Sequence, residues 1–322
     1  MKKRFMKPKV WLIILMVLLL IYWFSLPKKL FDVPYSTAVF SADSILLGAH
    51  VAKDGQWRFG EIDKVPYKFE KSLLVFEDKR FYYHPGFDVL SVFRALAQNI
   101  KSKKIVSGAS TITMQVIRLY RNNKDRTILN KILEIILATR LELRYSKSEI
   151  LKLYSSHAPF GGNVVGLDAA SWRYFNLPPS KLTWGQSALL AVLPNSPGLI
   201  HPGTNRNLLK NKRNKLLKKL LDKNIIDSST YELSIMENIP QKPVELPVLA
   251  RHLTQYFYKN KQGGKFYTFI DKSLQEQSNE VVKYHQSILK GNDIFNIAAI
   301  VVRNNDGAVL SYIGNTAEKM NK

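Results

Sequence analysis

The hydrophobic and polar positions divide the chain into an apolar opening segment and a longer part with alternating and helical patterns. Val10–Leu26 contains no charged residue, and its 17 residues are about the minimum that spans a hydrocarbon core of ~30 Å. Basic residues precede this segment, and tryptophan and tyrosine lie near its ends, as at membrane interfaces. We therefore predict a cytoplasmic tail at residues 1–9 and a transmembrane anchor at residues 10–26. The alternative is a cleaved signal peptide, but Ser25-Leu26-Pro27 provides no good cleavage site.

After the anchor the pattern changes from short strands to helices. Thr37–Phe40 and Ile45–Leu47 flank a polar turn and are predicted as strands. From Glu70 onward the apolar residues follow the helical period, which predicts helices over Leu90–Ile100 and Ile128–Leu143. The second of these helices should bury one apolar face, made of Ile128, Leu129, Ile132, Leu133, Ile136, Leu137 and Leu141.

The remaining pattern indicates more helices and a different C-terminal segment. A capping box at Ser146–Glu149 predicts the start of a helix, and Pro240–Pro247 is typical of a linker. We expect a mainly α fold with a short α+β C-terminal segment. The elements not yet named are helices at Ile150–Tyr154, Trp184–Leu193, Lys210–Lys223 (with a cationic face) and Leu274–Tyr284, and strands at Phe266–Ile270, Ile297–Val302 and Val309–Ile313.

Charge and composition restrict the compartment and the chemistry. The 322 residues carry a formal net charge of +23, so nucleic acids, anionic membranes and phosphorylated substrates are candidate partners. The predicted anchor places the body outside the cytoplasmic membrane, and the absence of cysteine suits that location. The six histidines are scattered without the spacing of metal ligands, so no metal site is predicted.

Two segments concentrate residues that could perform acid–base chemistry. Glu77 and Asp78 follow the apolar run Leu73–Phe76, and a carboxylate beside a hydrophobic wall can act as a general base. Some thirty residues later, Ser107–Gln115 is a loop of small and hydroxyl residues that runs into a helix. Together the segments indicate an enzyme.

Five blocks in this order resemble the family 51 peptidoglycan glycosyltransferases, the polymerising domain of class A penicillin-binding proteins. Within them, Ala158–Asn163 is similar to the C subtype. The resemblance implies a mainly helical, lysozyme-like domain at residues 36–240. It also implies that residues 241–322 are a linker and the start of an incomplete transpeptidase-like domain, so we expect no penicillin binding. The blocks are Glu77–Asp88, Gly108–Arg118, Arg126–Glu142, Ser146–Gly166 and Leu189–Pro202.

The resemblance also implies a reaction and a role for individual residues. A growing lipid-linked glycan would be transferred with inversion to the 4-hydroxyl of lipid II, releasing undecaprenyl diphosphate. Glu77 matches the catalytic base and Glu134 the second glutamate of the site, although each could instead form an ordinary ion pair with neighbouring cations. The substrate-binding positions that match are Arg118 and Arg126 against the diphosphate, Lys131 as a third cation, and the polar residues Ser110, Thr111 and Gln115. A divalent cation, Mg or Mn, could bridge the diphosphate.

The sequence departs from the family pattern at a few positions. Ala109 replaces a glycine, Asn130 stands where arginine is common, and Ser155-Ser156 replaces Leu-Asn. None of these changes touches Glu77, and we interpret His84 as a structural hydrogen-bonding residue. Activity is therefore expected, at a level that the lost cation at residue 130 could reduce.

Three competing functions are weaker. A silent scaffold that binds lipid II or cell-wall synthesis proteins would not need Glu77 and the arginines, and a lytic enzyme would not need cations directed at a diphosphate. Nucleic-acid binding ranks last because the cations form no known binding module. The expected partners are lipid II, the lipid-linked glycan, cell-wall synthesis proteins and the cytoplasmic (inner) membrane, crossed once with the N-terminus inside.

Overall fold

The computed structural model describes residues 8–102, 110–122, 127–194, 205–261 and 263–316. Outside these residues lie positions 1–7 of the predicted tail, Ala109 and the end of the fifth block. The chain forms two compact units. Unit 1 comprises Met1–Val33 and Glu77–Tyr154, and unit 2 comprises Pro34–Phe76 and Ser155–Lys322. The described fold is mainly helical, as the sequence predicts.

The helices that position the site begin where the sequence supplies a side-chain cap. Thr111 accepts a hydrogen bond from the backbone N–H of Met114, and Thr127 accepts one from Asn130. The predicted capping box at Ser146 is confirmed, because its backbone N–H donates to Glu149 at 2.7 Å and its hydroxyl accepts from the Glu149 N–H. The helices that contribute to unit 1 are α1 (Pro8–Trp23), the end of α2 (Tyr67–Glu77), α3 (Val89–Ser102), α4 (Ile112–Tyr120), α5 (Ile128–Glu142) and α6 (Lys147–His157).

The apolar face predicted to be buried on α5 is mostly exposed, so that prediction is wrong. Leu137 and Leu141 are buried, together with the charged residues Glu134 and Arg140. Periodicity identifies an apolar stripe but cannot determine whether protein or another medium covers it. The predicted core residues that are instead 40–81% exposed are Ile128, Leu129, Ile132, Leu133 and Ile136.

The apolar opening segment forms α1, a helix of 16 residues with an exposed apolar surface. Within the described part of the chain, none of the helices is long and apolar enough to cross a membrane. The end of α1 is held by α5: the hydroxyls of Tyr22 and Thr139 lie 3.0 Å apart, and Arg140 donates to the carbonyl of Trp23 at 3.0 Å. The Arg140 guanidinium also lies 4.4 Å from the centre of the Trp23 ring. These contacts hold the C-terminal end of α1 against α5 within unit 1.

Unit 2 contains a small mixed sheet of three strands. β1 (Thr37–Phe40) pairs antiparallel with β2 (Leu46–His50) and parallel with β3 (Gly264–Tyr267). The strand order is therefore β2-β1-β3. Val39, Leu47, Ala250 and Ile270 form a buried cluster beside this sheet. The three predicted strands are present: β1 has the predicted bounds, and the bounds of β2 and β3 differ from the prediction by one to three residues.

The other elements of unit 2 agree with the predicted succession of helices and a C-terminal α+β segment. The helix predicted at Leu274–Tyr284 is present and is longer than expected, and a pair of antiparallel strands follows it. The linker residues 240–247 contain no helix or strand. These elements are α7 (Leu167–Phe175), α8 (Trp184–Val192), α9 (Arg206–Asp222), α10 (Ser228–Met236), α11 (Arg251–Lys261), α12 (Lys272–Leu289), β4 (Ala299–Val302) and β5 (Val309–Ile313).

Candidate active site

Glu77 is the last residue of α2, at the end of a helix whose preceding turn is buried. Leu73, Leu74 and Val75 are each at most 8% exposed, so the backbone that carries Glu77 is fixed by packing. The Oε2 atom of Glu77 accepts a hydrogen bond of 2.8 Å from the side-chain amide of Gln115 on α4. Gln115 therefore orients the carboxylate that the sequence identifies as the candidate base.

A buried phenol lies within the electrostatic reach of this carboxylate. Tyr154 on α6 is fully buried, and its hydroxyl has no hydrogen-bond partner among the described residues. Burial, and secondly the negative charge of Glu77, raise the pKa of Tyr154 well above its usual range. The Tyr154 hydroxyl thus stays protonated, and Tyr154 is an uncharged neighbour of Glu77.

Asp78 connects three segments of unit 1 behind the candidate base. Its two carboxylate oxygens lie 3.0 and 3.1 Å from Nε2 of His84, and Oδ2 accepts from the backbone N–H of Ile112 at 3.0 Å. The N–H of Gly86 donates to Nδ1 of His84, so Nε2 carries the proton that is donated to Asp78. His84 is a structural hydrogen-bonding residue, as predicted, and Asp78 ties the end of α2 to the start of α4.

Gly86 lies where the loop before α3 passes close to α5. Its φ is +97°, and a Cβ atom would lie 2.7 Å from the carbonyl oxygen of Ala138. The carbonyl of Gly86 accepts a 2.6 Å hydrogen bond from the hydroxyl of Thr111, the residue that also caps α4. Thr111 therefore positions the start of α4 by two contacts, which accounts for its place in the hydroxyl loop.

A second cluster of charged groups lies one turn further along α4. Arg118 binds Glu134 through two hydrogen bonds of 2.8 Å, a bidentate pair in which Glu134 is buried. Lys131 lies 3.6 Å from the same carboxylate and donates to the hydroxyl of Ser110 at 2.6 Å. Ser110 also accepts from Arg118 at 3.3 Å. Glu134 therefore acts as the counter-ion that holds two cations in place.

Arg121, which the sequence does not single out, forms a contact beside this cluster. Its Nη2 atom donates to the side-chain amide oxygen, Oδ1, of Asn130 at 2.9 Å. Asn130 stands where the resemblance implies an arginine, so the structure places a different arginine next to that position. The spacing of Arg118 and Arg121, one helical turn apart, is the signal that could have identified it. Arg126 lies outside the described residues.

The described site residues meet along one face of α4. Gln115 binds Glu77, and Arg118, three residues later on the same helix, binds Glu134. Residues three apart on a helix are neighbours, so the carboxylate and the cationic cluster flank one turn of α4. In this arrangement the Glu77 carboxylate can accept a proton from a hydroxyl. The neighbouring cations can stabilise a leaving group that departs with negative charge.

The serines at 155 and 156 are both buried. The hydroxyl of Ser156 accepts from the backbone N–H of Ile62 at 3.0 Å within unit 2, so this residue has a structural contact of its own.

Among the described residues no group of three or more histidine, aspartate and glutamate side chains could hold a metal ion. Both carboxylate oxygens of Glu134 are bound by Arg118.

Comparison with known proteins gives one matching family and a set of related sequences. The family model described as Transglycosylase matches residues 47–221. Penicillin-binding protein 1C of Escherichia coli (strain K12) is 32% identical over 289 residues, which are 89% of this chain and 37% of the relative. Penicillin-binding protein 4 of Bacillus subtilis (strain 168) is 35% identical over 177 residues, or 55% of this chain and 28% of the relative.

Two further similarities complete the comparison. Penicillin-binding protein 1A of Escherichia coli (strain K12) is 30% identical over 259 residues, 76% of this chain and 30% of the relative. The crystal structure of penicillin-binding protein 1A from Haemophilus influenzae has a TM-score of 0.37 and 16% identity, covering 76% of this chain and 28% of that chain. A TM-score this low supports no argument about the fold. The chain spans between 28% and 37% of the length of these curated relatives.

Proposed function

This chain belongs to the transglycosylase family, and on that premise we propose that it polymerises lipid II into peptidoglycan glycan strands. The observation that carries the proposal is the placement of Glu77 and the Arg118–Glu134–Lys131 cluster against neighbouring residues of α4, Gln115 and Arg118. The 4-hydroxyl oxygen of lipid II would attack the anomeric carbon of the lipid-linked glycan. The bond from that carbon to the diphosphate would break with inversion, and undecaprenyl diphosphate would leave with the electron pair.

Glu77 takes the proton from the attacking hydroxyl in this proposal. A sugar hydroxyl is a weak nucleophile, and a positioned base contributes about 10²- to 10⁴-fold in rate. The Gln115 amide holds one oxygen of the carboxylate, which fixes the plane of the group. Tyr154 stays uncharged near Glu77, and the neighbouring carboxylate of Asp78 is already engaged with His84 and the Ile112 backbone N–H.

The cations of the site stabilise the leaving diphosphate. Arg118 and Lys131 together carry two positive charges and Glu134 one negative charge, so the cluster retains an excess positive charge. Ser110 and Lys131 offer polar groups to phosphate oxygens, and the resemblance assigns the same role to Arg126. A Mg or Mn ion would add charge at the diphosphate, but the described residues provide no ligand set for it and no step depends on it.

We extend the proposal to the arrangement of the chain at the membrane. Residues 10–26 would anchor it in the cytoplasmic membrane with the N-terminus inside, and residues 36–240 would form a lysozyme-like catalytic domain outside. The exposed apolar surface of α1 and the exposed apolar face of α5 support this arrangement, because α5 holds the end of α1. Residues 241–322 would be a linker and the first part of a transpeptidase-like domain that contacts cell-wall synthesis proteins.

Cysteine labelling tests the membrane contact of α5. The chain has no cysteine, so Ile132→Cys and Ser148→Cys each introduce a unique thiol into unit 1. In lipid vesicles a water-soluble maleimide should label Ile132→Cys at least ~10-fold more slowly than Ser148→Cys, because a membrane excludes the reagent from an embedded face. In a denaturant without lipid both variants should react alike. Equal labelling rates in vesicles would place the α5 face in water.

A glycan assay tests the catalytic proposal. Detergent-solubilised protein incubated with fluorescent lipid II should yield a ladder of polymer on a glycan gel. The alternative is a membrane-anchored scaffold that binds lipid II without reacting, for which the substrate would bind and remain monomeric. Absence of both polymer and lipid II binding would exclude both functions.

A further inference from the structure

The α4–α5 pair contains a ladder of two arginine contacts. Arg118 lies in the last turn of α4 and Arg121 directly follows the helix as its C-terminal cap, while Glu134 and Asn130 lie about one turn apart on α5. Arg118 reaches across to Glu134 at 2.8 Å, and Arg121 reaches across to Asn130 at 2.9 Å. Both guanidinium groups are therefore held on the same side of the helix pair.

The two rungs of this ladder differ in charge. Glu134 is a carboxylate and forms an ion pair with Arg118, whereas the partner of Arg121 is the neutral side-chain amide of Asn130, and among the described residues no carboxylate pairs with Arg121. Asn130 and Lys131 are consecutive in the first turns of α5, close to the helix start at Thr127, where the peptide dipoles also favour an anion. Arg118, Arg121 and Lys131 thus bring three positive charges to this side of the helix pair, against the one negative charge of Glu134.

A guanidinium carries five N–H donors in a planar fork, which suits the oxygens of a diphosphate. The side-chain Oδ1 of Asn130 accepts from Nη2 and so restricts the orientation of the fork. The Asn130 side chain carries no charge itself, but it orients the guanidinium of Arg121 at the end of α4.

We propose that Arg121 binds the diphosphate of the polyprenyl-linked substrate together with Lys131, and replaces from α4 the charge that the family pattern has at residue 130. This inference rests on the proposed function. The simpler role of Arg121, interaction with the carbonyl end of α4, would leave diphosphate binding unchanged on substitution.

Inorganic pyrophosphate is the direct probe, measured by calorimetry with the detergent-solubilised full chain at low salt. Arg121→Gln removes the charge, and Arg121→Lys retains it. We expect the dissociation constant to rise about fivefold to tenfold in Arg121→Gln and about twofold in Arg121→Lys. Arg94→Gln, an exposed arginine of α3, removes the same net charge and should stay close to wild type. Equal thermal midpoints would show that all variants are folded.

A charge-swap variant makes the test specific. Arg121→Gln combined with Asn130→Arg moves the cation from α4 to α5 and should recover most of the pyrophosphate affinity. Failure of this recovery, an unchanged affinity in Arg121→Gln, or a wild type that binds no pyrophosphate would each overturn the inference.

Lipid II turnover separates this inference from the proposed function. If Arg121 binds the diphosphate equally in substrate and transition state, Arg121→Gln should raise KM about fivefold with kcat little changed. A wild type that binds pyrophosphate through Arg121 but makes no polymer would refute the glycosyltransferase and leave the anion site. A wild type that polymerises lipid II, with Arg121→Gln unaltered in pyrophosphate binding, would refute the role of Arg121 alone.

Discussion

Replacing Glu77 with glutamine is expected to lower the rate of glycan polymerisation about 100- to 10 000-fold, the range that a positioned general base contributes. The substitution preserves the shape of the side chain, and its remaining carbonyl oxygen can still accept the 2.8 Å hydrogen bond from Gln115. It removes only the ability to take a proton at the pH of the assay. Binding of fluorescent lipid II should therefore persist while the polymer ladder disappears from the gel.

Glu70→Gln is the matched control for this experiment, since Glu70 lies on the same helix two turns before the candidate base. This variant should polymerise lipid II at the rate of the wild type. Polymerisation by Glu77→Gln at the wild-type rate would show that another group accepts the proton and would remove the main argument for the proposed mechanism.

Replacing Asp78 with alanine is expected to lower the free energy of unfolding by about 3 kcal/mol, because buried hydrogen-bond donors left without an acceptor cost ~1–3 kcal/mol each. Asp78 is 6% exposed and accepts from the His84 ring and from the Ile112 backbone N–H. Both donors would stay buried after truncation. Urea unfolding in detergent, followed by tryptophan fluorescence, measures the effect.

Asp222→Ala is the control, because Asp222 forms an exposed i,i+4 ion pair with Lys218 and exposed pairs contribute little. Asp78→Asn should fall between wild type and Asp78→Ala, since its amide oxygen can still accept one of the two hydrogen bonds. An Asp78→Ala variant as stable as the wild type would mean that water or neighbouring groups satisfy both donors. Loss of lipid II turnover is expected to accompany the destabilisation, because Asp78 fixes the residue next to Glu77.

Local sequence signals predicted the elements whose ends are set by nearby side chains. The capping box at Ser146 and the hydroxyl loop before α4 act within one helical turn, so their patterns are readable in the sequence. The turn-bounded strands of the small sheet were predictable for the same reason. The place of Glu77 at the end of a buried helix also follows from its apolar run.

The contacts between α4 and α5 could not be predicted in this way. Arg118 and Glu134 are 16 residues apart, and their pairing depends on the rotation of two helices about their own axes. The sequence indicates that Glu134 and Lys131 share a side of α5, yet it does not show that Arg118 is the stronger partner of Glu134. The contact of Arg121 with Asn130 depends on the same packing, so a departure from the family pattern could be noticed but not its compensation.

The reversed polarity of α5 also reverses which of its residues can change without harm. On a helix of a water-soluble protein, the outer positions drift freely among polar residues and the inner positions tolerate only apolar ones. On α5 the inner positions include Glu134 and Arg140; leucine would suit a buried position by hydropathy, but it would remove the ion pair and the anchor of Trp23. With the outer face against the membrane as proposed, its isoleucines and leucines should exchange with one another and reject charge. A substitution profile of α5 would then show invariant charged residues inside and interchangeable apolar residues outside, the reverse of the profile of a helix in a water-soluble protein.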